Sequence, residues 1–270
     1  MDMLPVYILF GASAAFIPGF SGILLYARRL MRKRPLRDLY DARSKEADFI
    51  PLASIPERLR YYVVQIEDPY FFKHSGISKA KTLDAVLMNL RSGTILSGGS
   101  SISQQLAKNL YFRFHHSYLR KAAEFIIALT AERSLGKEKI LELYLNIIYY
   151  GNGIYGITHA ARFYFGKKVQ DLTRNQMFLL ASLIYAPTMS NPLLYPDVLA
   201  RIRDRRIGTL LERDAISTEE AELFRSFPPE ALDPELREED GFAARYPQEV
   251  CLNNDRFGPY PRKERVTIPE

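Results

Sequence analysis

Two glutamates separated by a polar segment are the residues of this chain best suited to catalysis. Glu67 opens the run EDPYFFKHSG, and Glu124 closes the later run RKAAE. Between them, residues 98–109 (GGSSISQQLAKN) are rich in hydroxyl, amide and basic groups. A carboxylate can move a proton at a sugar oxygen while cations stabilise an anionic leaving group. The pattern predicts chemistry on a sugar that carries such a leaving group.

Each glutamate also has a purely structural interpretation. Glu67 follows a helix predicted over residues 57–66, where an acidic side chain opposes the helix dipole, and this unfavourable placement favours a function. Glu124 shares a helix face with Arg120 and Glu132, which salt bridges along an exposed face would also explain. The residues after Glu124 are mostly apolar. We therefore expect a buried helix, in which a carboxylate needs partners or a purpose.

The charge of the chain favours anionic partners. Its 270 residues carry a net charge of +6 and give a pI of about 9.2. Nucleic acid, a membrane surface and a phosphorylated substrate all fit this balance. The single cysteine, Cys251, excludes an intrachain disulfide and a cysteine-rich metal site.

A stretch without charges near the start predicts a membrane anchor. Residues 3–27 contain no charged side chain and are long enough, as a helix, to cross a bilayer. A cleaved signal peptide or a buried core helix are the alternatives. A basic cluster follows the stretch, so the positive-inside rule would keep the rest of the chain in the cytoplasm. The cluster could instead lie on the anionic headgroups of either leaflet.

Periodicity predicts a mainly α-helical body with few strand signals. A helix break is expected at Gly136, and Ser217 with Glu220 is typical of a capping box. Predicted helices cover residues 57–66, 83–91, 101–109, 119–135, 137–149, 176–185 and 198–212, with a short one after Ser217. The glycine pattern at residues 151–156 lacks the preceding strand of a dinucleotide site, and the one at residues 93–100 has Gly99 where a phosphate-binding loop needs a lysine.

Four ordered runs carry a family resemblance. The pattern E-D-x-x-F-x-x-H-x-G is complete at residues 67–76, and K-x-x-I-L-E-x-Y-L-N is complete at residues 137–146. R-K-x-x-E occupies residues 120–124. The run at residues 98–109 matches G-G-S-T-I-T-Q-Q-L-x-K-N with serine in place of both threonines. Together they resemble the peptidoglycan glycosyltransferases, glycosyltransferase family 51.

The resemblance extends over roughly residues 45–227, with a weaker fifth motif at Arg205 and Arg206. It implies an all-α, lysozyme-like glycosyltransferase domain with a small membrane-facing jaw. The expected organisation is a transmembrane anchor (1–27), a basic juxtamembrane connector (28–44), the catalytic domain (45–227, with its jaw near 77–99) and an irregular tail (228–270). The S-x-x-K spacing of transpeptidases occurs only inside the glycosyltransferase-like region, at residues 78–81 and 134–137, so we expect a monofunctional transglycosylase.

The resemblance implies polymerisation of lipid II with inversion, forming β-1,4 links and releasing undecaprenyl pyrophosphate. Glu67 would be the general base, and Glu124 would organise the site near the pyrophosphate. The residues expected to bind substrate are Asp68, Ser100, Gln104, Gln105, Lys108, Arg120 and Lys121. Those expected to support the motifs structurally are Phe71, His74, Gly76, Asn109, Glu132, Glu142, Tyr144 and Asn146.

The resemblance also sets expectations for location and partners. The protein would be a single-pass protein of the bacterial cytoplasmic membrane with its catalytic domain outside, against the local charge pattern. Its partners would be lipid II, the growing lipid-linked glycan, the membrane and other cell-wall synthesis proteins, but no nucleic acid. No protein metal site is expected, although a carboxylate–diphosphate site could recruit Mg²⁺ or Mn²⁺.

Two departures from the family pattern keep other functions open. Ala123 stands where a lysine is common, and His115 and His116 occupy a stretch that often holds a basic residue. A non-catalytic lipid II-binding scaffold of the cell-wall machinery would tolerate both changes. A peptidoglycan hydrolase that uses two carboxylates to activate water is a third alternative.

Overall fold

The computed structural model describes residues 21–77, 99–112, 118–185, 187 and 195–227. These residues are mostly helical, and their only β feature is an isolated bridge between Tyr149 and Tyr155. The predicted all-α class is confirmed for this part of the chain. The α-helices are residues 21–33 (α1), Leu36–Arg43 (α2), Glu57–Glu67 (α3), Ile102–Tyr111 (α4), Tyr118–Ile147 (α5), Ile157–Phe165 (α6), Arg174–Leu183 (α7), Pro196–Glu212 (α8) and Thr218–Ser226 (α9). Short 3-10 turns lie at Leu52–Ser54, Phe71–Lys73 and Val169–Asp171.

The chain divides into two compact units. Unit 1 comprises Met1–Leu52 and Glu67–Tyr144, and unit 2 comprises Ala53–Ile66 and Leu145–Glu270. Helix α3 thus contributes its last residue, Glu67, to unit 1 and the rest to unit 2. All residues that the sequence analysis assigned to catalysis or substrate binding belong to unit 1.

The core of unit 1 includes a cluster of small side chains contributed by three helices. Ala27 of α1, Ala107 of α4, and Ala123 and Ile127 of α5 are fully or almost fully buried together. Small residues allow helix backbones to approach closely, and larger apolar side chains of the same helices surround the cluster. No helix is predicted from the sequence for the connector at 28–44, whereas the structure has α2 and the end of α1 there. The packing also explains Ala123, because a lysine at this position would be buried among apolar groups.

A kink divides α5 at Gly136, as predicted. Gly136 has φ 77° and ψ 168°, a conformation that an L-residue rarely adopts. The first part of the helix carries Glu124 and Glu132, and the second begins with Lys137. The break therefore turns the chain immediately after Glu132.

Aromatic rings and capping interactions hold unit 2 together. Phe178 of α7 stacks on Phe224 of α9 with ring centroids 4.2 Å apart, and Tyr62 of α3 meets both rings edge-on. The predicted capping box at Ser217 is present, with its side chain accepting from the backbone N–H of Glu220. The Tyr62 hydroxyl donates to the Glu220 carboxylate at 3.0 Å.

Several predictions fall wholly or mostly outside the described residues. These are most of the anchor (residues 1–20), almost all of the jaw with its helix at 83–91, the pair His115 and His116, and the tail at 228–270. Within the described ranges, no helix is both long enough and apolar enough to span a membrane.

Candidate active site

Glu67 is a buried carboxylate at the end of α3. Only 6% of the residue is exposed. Its Oε2 accepts a hydrogen bond of 2.7 Å from Gln105 Nε2. Its Oε1 is buried and has no hydrogen-bond partner among the described residues. A carboxylate with one oxygen held and the other unused is suited to accepting a proton from a bound hydroxyl.

The N-terminus of α4 brings the second motif against the first. Ser101 caps the helix, accepting from the backbone N–H of Gln104, while the Gln104 amide oxygen accepts from the Ser101 N–H. The Ser101 hydroxyl also donates to the Gly76 carbonyl at 2.6 Å. Asp68, which is fully buried, accepts from the next helical N–H, that of Ile102, at 3.1 Å. Orphan N–H groups of the helix start are thereby satisfied, and the position of α4 is fixed.

A buried polar network continues from Asp68 through His74. His74 Nε2 lies 2.9 Å from Asp68 Oδ2, and His74 Nδ1 lies 3.4 Å from Lys137 Nζ. Because an ammonium only donates, Nδ1 must accept and the ring proton sits on Nε2, from which it is donated to Asp68. Lys137 also pairs with Glu132 at 2.6 Å, and Ser103 donates to the same Glu132 oxygen at 2.5 Å.

Glu124 is the centre of a second, cationic cluster. Only 1% of it is exposed. Lys121 Nζ lies 2.9 Å from Glu124 Oε2 and also donates to Ser100 Oγ at 2.8 Å. Arg120 Nε lies 3.0 Å from Oε1, close enough for an ion pair, although the two atoms do not form a well-directed hydrogen bond. This carboxylate is committed to its two cations, so its local role is to hold them in place.

Lys108 adds a third cation on α4. The residue is exposed overall, yet the protein crowded around its ammonium lowers the pKa of Lys108, and the nearby Arg120 guanidinium lowers it further. Desolvation and a like charge both disfavour the protonated form, which an incoming anion would stabilise. Lys108, Arg120 and Lys121 are therefore arranged to favour an anionic ligand.

The motif residues that were expected to be structural differ in their burial and in their contacts. Phe71 is fully buried beneath the Lys137 ammonium, which lies 4.3 Å from its ring centroid. Glu142 accepts from the Tyr40 hydroxyl and the Leu52 N–H, and its structural role stays a prediction. Asn109 is partly buried on α4, and Asn146 belongs to unit 2.

Three of the residues expected to bind substrate bond other residues of the protein, although Asp68 Oδ1 is buried with no hydrogen-bond partner among the described residues. Asp68 bonds Ile102 and His74, the Gln104 oxygen closes the capping box, and Gln105 bonds Glu67. Their contacts with substrate stay a prediction. Within the described ranges, no group of three or more His, Cys, Asp or Glu side chains could hold a metal ion.

Two residues of this network were missed as site residues by the sequence analysis. Lys137 was treated only as part of its motif, although it joins His74 to Glu132. Ser103 was noted only for replacing a threonine, although its hydroxyl bonds Glu132. A buried glutamate requires donors, so the expected burial of the helix was the one available signal.

Comparisons with known proteins place this arrangement in a family. A family model described as "Transglycosylase" matches residues 32–212. Penicillin-binding protein 1F of Bacillus subtilis (strain 168) is 39% identical over 172 residues, which cover 64% of this chain and 24% of that protein. Penicillin-binding protein 1A of Aquifex aeolicus (strain VF5) is 37% identical over 193 residues, covering 68% and 27% respectively.

A solved structure of penicillin-binding protein 1A from Haemophilus influenzae matches with a TM-score of 0.40 and 24% identity, covering 67% of this chain and 17% of that one. The chain spans about a quarter of the length of the curated relatives it matches. The family model nevertheless covers most of the sequence, including all four motifs and the buried glutamates. The chain belongs to the transglycosylase family.

Proposed function

We propose that this chain is a peptidoglycan glycosyltransferase that polymerises lipid II with inversion. Glu67 takes the proton of the acceptor sugar's 4-hydroxyl, and that oxygen attacks C1 of the donor's terminal sugar. The bond from C1 to the diphosphate oxygen breaks, a β-1,4 link forms, and undecaprenyl pyrophosphate leaves. The observation that carries the proposal is the buried Glu67 carboxylate, of which Gln105 holds one oxygen while the other is unpaired within the described residues.

The cationic cluster would receive the leaving group. Lys121, Arg120 and Lys108 supply three positive charges on two neighbouring helices, and Glu124 holds the first two. Charge that develops on the departing diphosphate would be stabilised by groups already in place, which lowers the barrier without reorganisation. Ser100 accepts from Lys121 and would border the same site. A divalent cation, if one takes part, would need diphosphate oxygens among its ligands.

The remaining parts of the proposal follow from the family resemblance. The glycosyltransferase domain would have the lysozyme-like fold, with its jaw against the membrane. Residues 1–27 would anchor the chain once through the cytoplasmic membrane and leave the domain on the outer face, where lipid II is presented. Other cell-wall synthesis proteins are the proposed partners.

The experiment is polymerisation of purified lipid II by the full chain in detergent micelles, with Glu67→Gln beside the wild type. Gln keeps the shape of the side chain but cannot take the proton, so the rate should fall by about 10²–10⁴-fold. Glu57→Gln is the matched control, because Glu57 is exposed at the other end of α3. EDTA added to the wild-type reaction tests the divalent cation.

Other outcomes would redirect the proposal. Normal polymerisation by Glu67→Gln would remove Glu67 as the base. Binding of lipid II without product, in the wild type, would favour the non-catalytic scaffold that the changes at Ala123 and His116 leave open. Release of soluble muropeptides from purified sacculi would favour a hydrolase.

A further inference from the structure

Glu67 belongs to a chain of hydrogen bonds that ends on a buried tyrosine. The Tyr144 hydroxyl donates to Gln105 Oε1 at 2.9 Å, and Gln105 Nε2 donates to Glu67 Oε2 at 2.7 Å. Tyr144 is completely buried in the second part of α5. From the sequence, Tyr144 is expected to have only a structural role and Gln105 to bind substrate. The observed bonds connect both residues to the candidate base instead.

The order of donors and acceptors in this series of hydrogen bonds fits a carboxylate at Glu67 that accepts from Gln105. A carboxylate only accepts, so the amide must present its NH₂ group to Glu67 and its oxygen to Tyr144. A rotated Gln105 would place its oxygen against the carboxylate and repel it. With the hydroxyl of Tyr144 bonded to the amide oxygen, the side chain of Gln105 has a defined rotamer and a partner at each end. Bonds in such a chain also polarise one another and strengthen the last one.

The second part of α5 also restrains the carboxylate of Asp68, the residue after Glu67. Lys137 and Tyr144 are seven residues apart, two turns of helix, and so lie on nearly the same face. Lys137 contacts His74, which donates to Asp68, while Tyr144 contacts Gln105, which donates to Glu67. Two consecutive carboxylates are thus each held through one intermediate side chain from a single helix face. This shared arrangement indicates that the face orients the end of α3.

We propose that Tyr144 is a positioning residue for glycosyl transfer, acting through Gln105 to fix the orientation of the Glu67 carboxylate. This inference rests on the proposed role of Glu67 as general base. With Oε2 restrained, Oε1 remains the oxygen that accepts the proton of the sugar hydroxyl. Gln105 serves the carboxylate, and its loss affects turnover more than the binding of lipid II.

The first test is steady-state kinetics of the full-chain variant Tyr144→Phe with lipid II in micelles. Phe keeps the ring and removes only the hydroxyl, so Gln105 loses its donor and Glu67 loses its fixed orientation. We expect kcat to fall about tenfold or more, with KM within about twofold of the wild type. The matched control is Tyr62→Phe, which removes another fully buried hydroxyl, bonded to Glu220 in unit 2, and should leave kcat unchanged.

The second test separates action through Gln105 from a general effect on the fold. Gln105 is partly buried, and Gln105→Met removes the amide that links Tyr144 to Glu67. It should give the same loss of kcat with KM unchanged. Adding Tyr144→Phe to Gln105→Met should change kcat by less than about twofold, because the two residues act as one unit. If Tyr144→Phe does not fold, wild-type kcat in Gln105→Met still overturns the proposal, because Tyr144 is proposed to act through Gln105.

Each contrary outcome has a distinct meaning. Wild-type kcat in either single variant, with Glu67→Gln inactive, overturns the positioning role and leaves the general base in place. A rise in KM in Gln105→Met, without loss of kcat, makes Gln105 a substrate contact and also overturns it. Multiplicative losses in the double variant show that Tyr144 acts elsewhere. An active Glu67→Gln removes the proposed function itself.

Discussion

The carboxylate of Asp68 accepts a hydrogen bond of 3.1 Å from the backbone N–H of Ile102, which joins the residue after the candidate base to the first turn of α4. The same oxygen accepts from His74 Nε2 at 2.9 Å. Asp68→Ala would leave two buried donors without their acceptor. We expect the free energy of unfolding to fall by about 2–4 kcal/mol, measured by urea denaturation.

Asp41→Ala is the control for Asp68, because Asp41 is exposed on α2. It should change the free energy of unfolding by less than about 0.5 kcal/mol. Equal effects of the two substitutions would mean that the contact between Asp68 and Ile102 contributes little to stability.

Gly76 and Gly136 form a matched pair for separating backbone strain from steric clash. Their φ angles are +74° and +77°. A Cβ at Gly76 would lie 2.7 Å from Leu129 Cδ2 and 3.2 Å from its Cα, whereas a Cβ at Gly136 meets no atom within 4 Å. Gly136→Ala should therefore cost about 1–2 kcal/mol from strain alone. Gly76→Ala should cost about 1–3 kcal/mol more, because Leu129 and its helix must move.

Urea unfolding of both glycine variants, beside the wild type, measures this difference directly. Equal losses of stability would show that the Leu129 side chain turns away at no cost. A larger loss at Gly136 would contradict the geometry of both positions.

Local sequence signals predicted the features of the site that depend on neighbours along the chain. The end of a helix next to Glu67, the break at Gly136 and the capping box at Ser217 each follow from residues within one or two turns. All three are confirmed, although the helix includes Glu67 and so runs one residue further than predicted. Burial of Glu124 followed from the apolar character of its helix and is also confirmed.

Contacts between distant segments could not be predicted in the same way. The bonds from Ser103 to Glu132 and from Tyr144 to Gln105 join different helices. Which polar side chains meet depends on how the helices pack, and periodicity reveals only which face is buried. The helical structure of residues 28–44 was missed for a related reason, since charged residues dominate this segment and conceal Leu30 and Met31, which pack against the buried cluster at Ala27.

Tyr62 should make the stability of the protein fall at alkaline pH. Burial raises the pKa of Tyr62 from its usual 10 to about 12, and the Glu220 carboxylate beside it adds to the effect. The protonated hydroxyl contributes its full stability below pH 10, and this is lost as the pH rises through 12. Over that window the wild type should lose about 2–3 kcal/mol from this group alone. The alkaline loss in the free energy of unfolding should be smaller in Tyr62→Phe than in the wild type, by the same amount of about 2–3 kcal/mol.

The effect of Tyr62 is tested by urea denaturation of the wild type and Tyr62→Phe at several pH values from 7 to 12. The free energy of unfolding of each protein is plotted against pH. Parallel curves for wild type and variant below pH 9 serve as the internal control. If the curves remain parallel up to pH 12, ionisation of Tyr62 does not contribute to alkaline unfolding.

Lys108 connects the charge of the site with substrate binding. Because the surrounding protein and Arg120 lower the pKa of Lys108, its charge is lost at a lower pH than that of an ordinary lysine. Affinity for the anionic diphosphate should weaken as the pH rises through that lowered pKa. Lys108→Arg keeps its charge throughout, so the alkaline rise in the KM for lipid II should disappear. Lys108→Met should raise KM about tenfold already at pH 7, with little loss of stability, since the ammonium is poorly solvated where it lies.

Steady-state kinetics of the three Lys108 forms between pH 7 and 10 give this comparison, with Lys168→Met as an exposed control in unit 2. An alkaline rise in KM that persists in Lys108→Arg would assign the titration to another group. A normal KM in Lys108→Met would mean that Arg120 and Lys121 alone bind the diphosphate. In that second case the positive charge on α4 would not contribute to binding, and the cationic site would be confined to the start of α5.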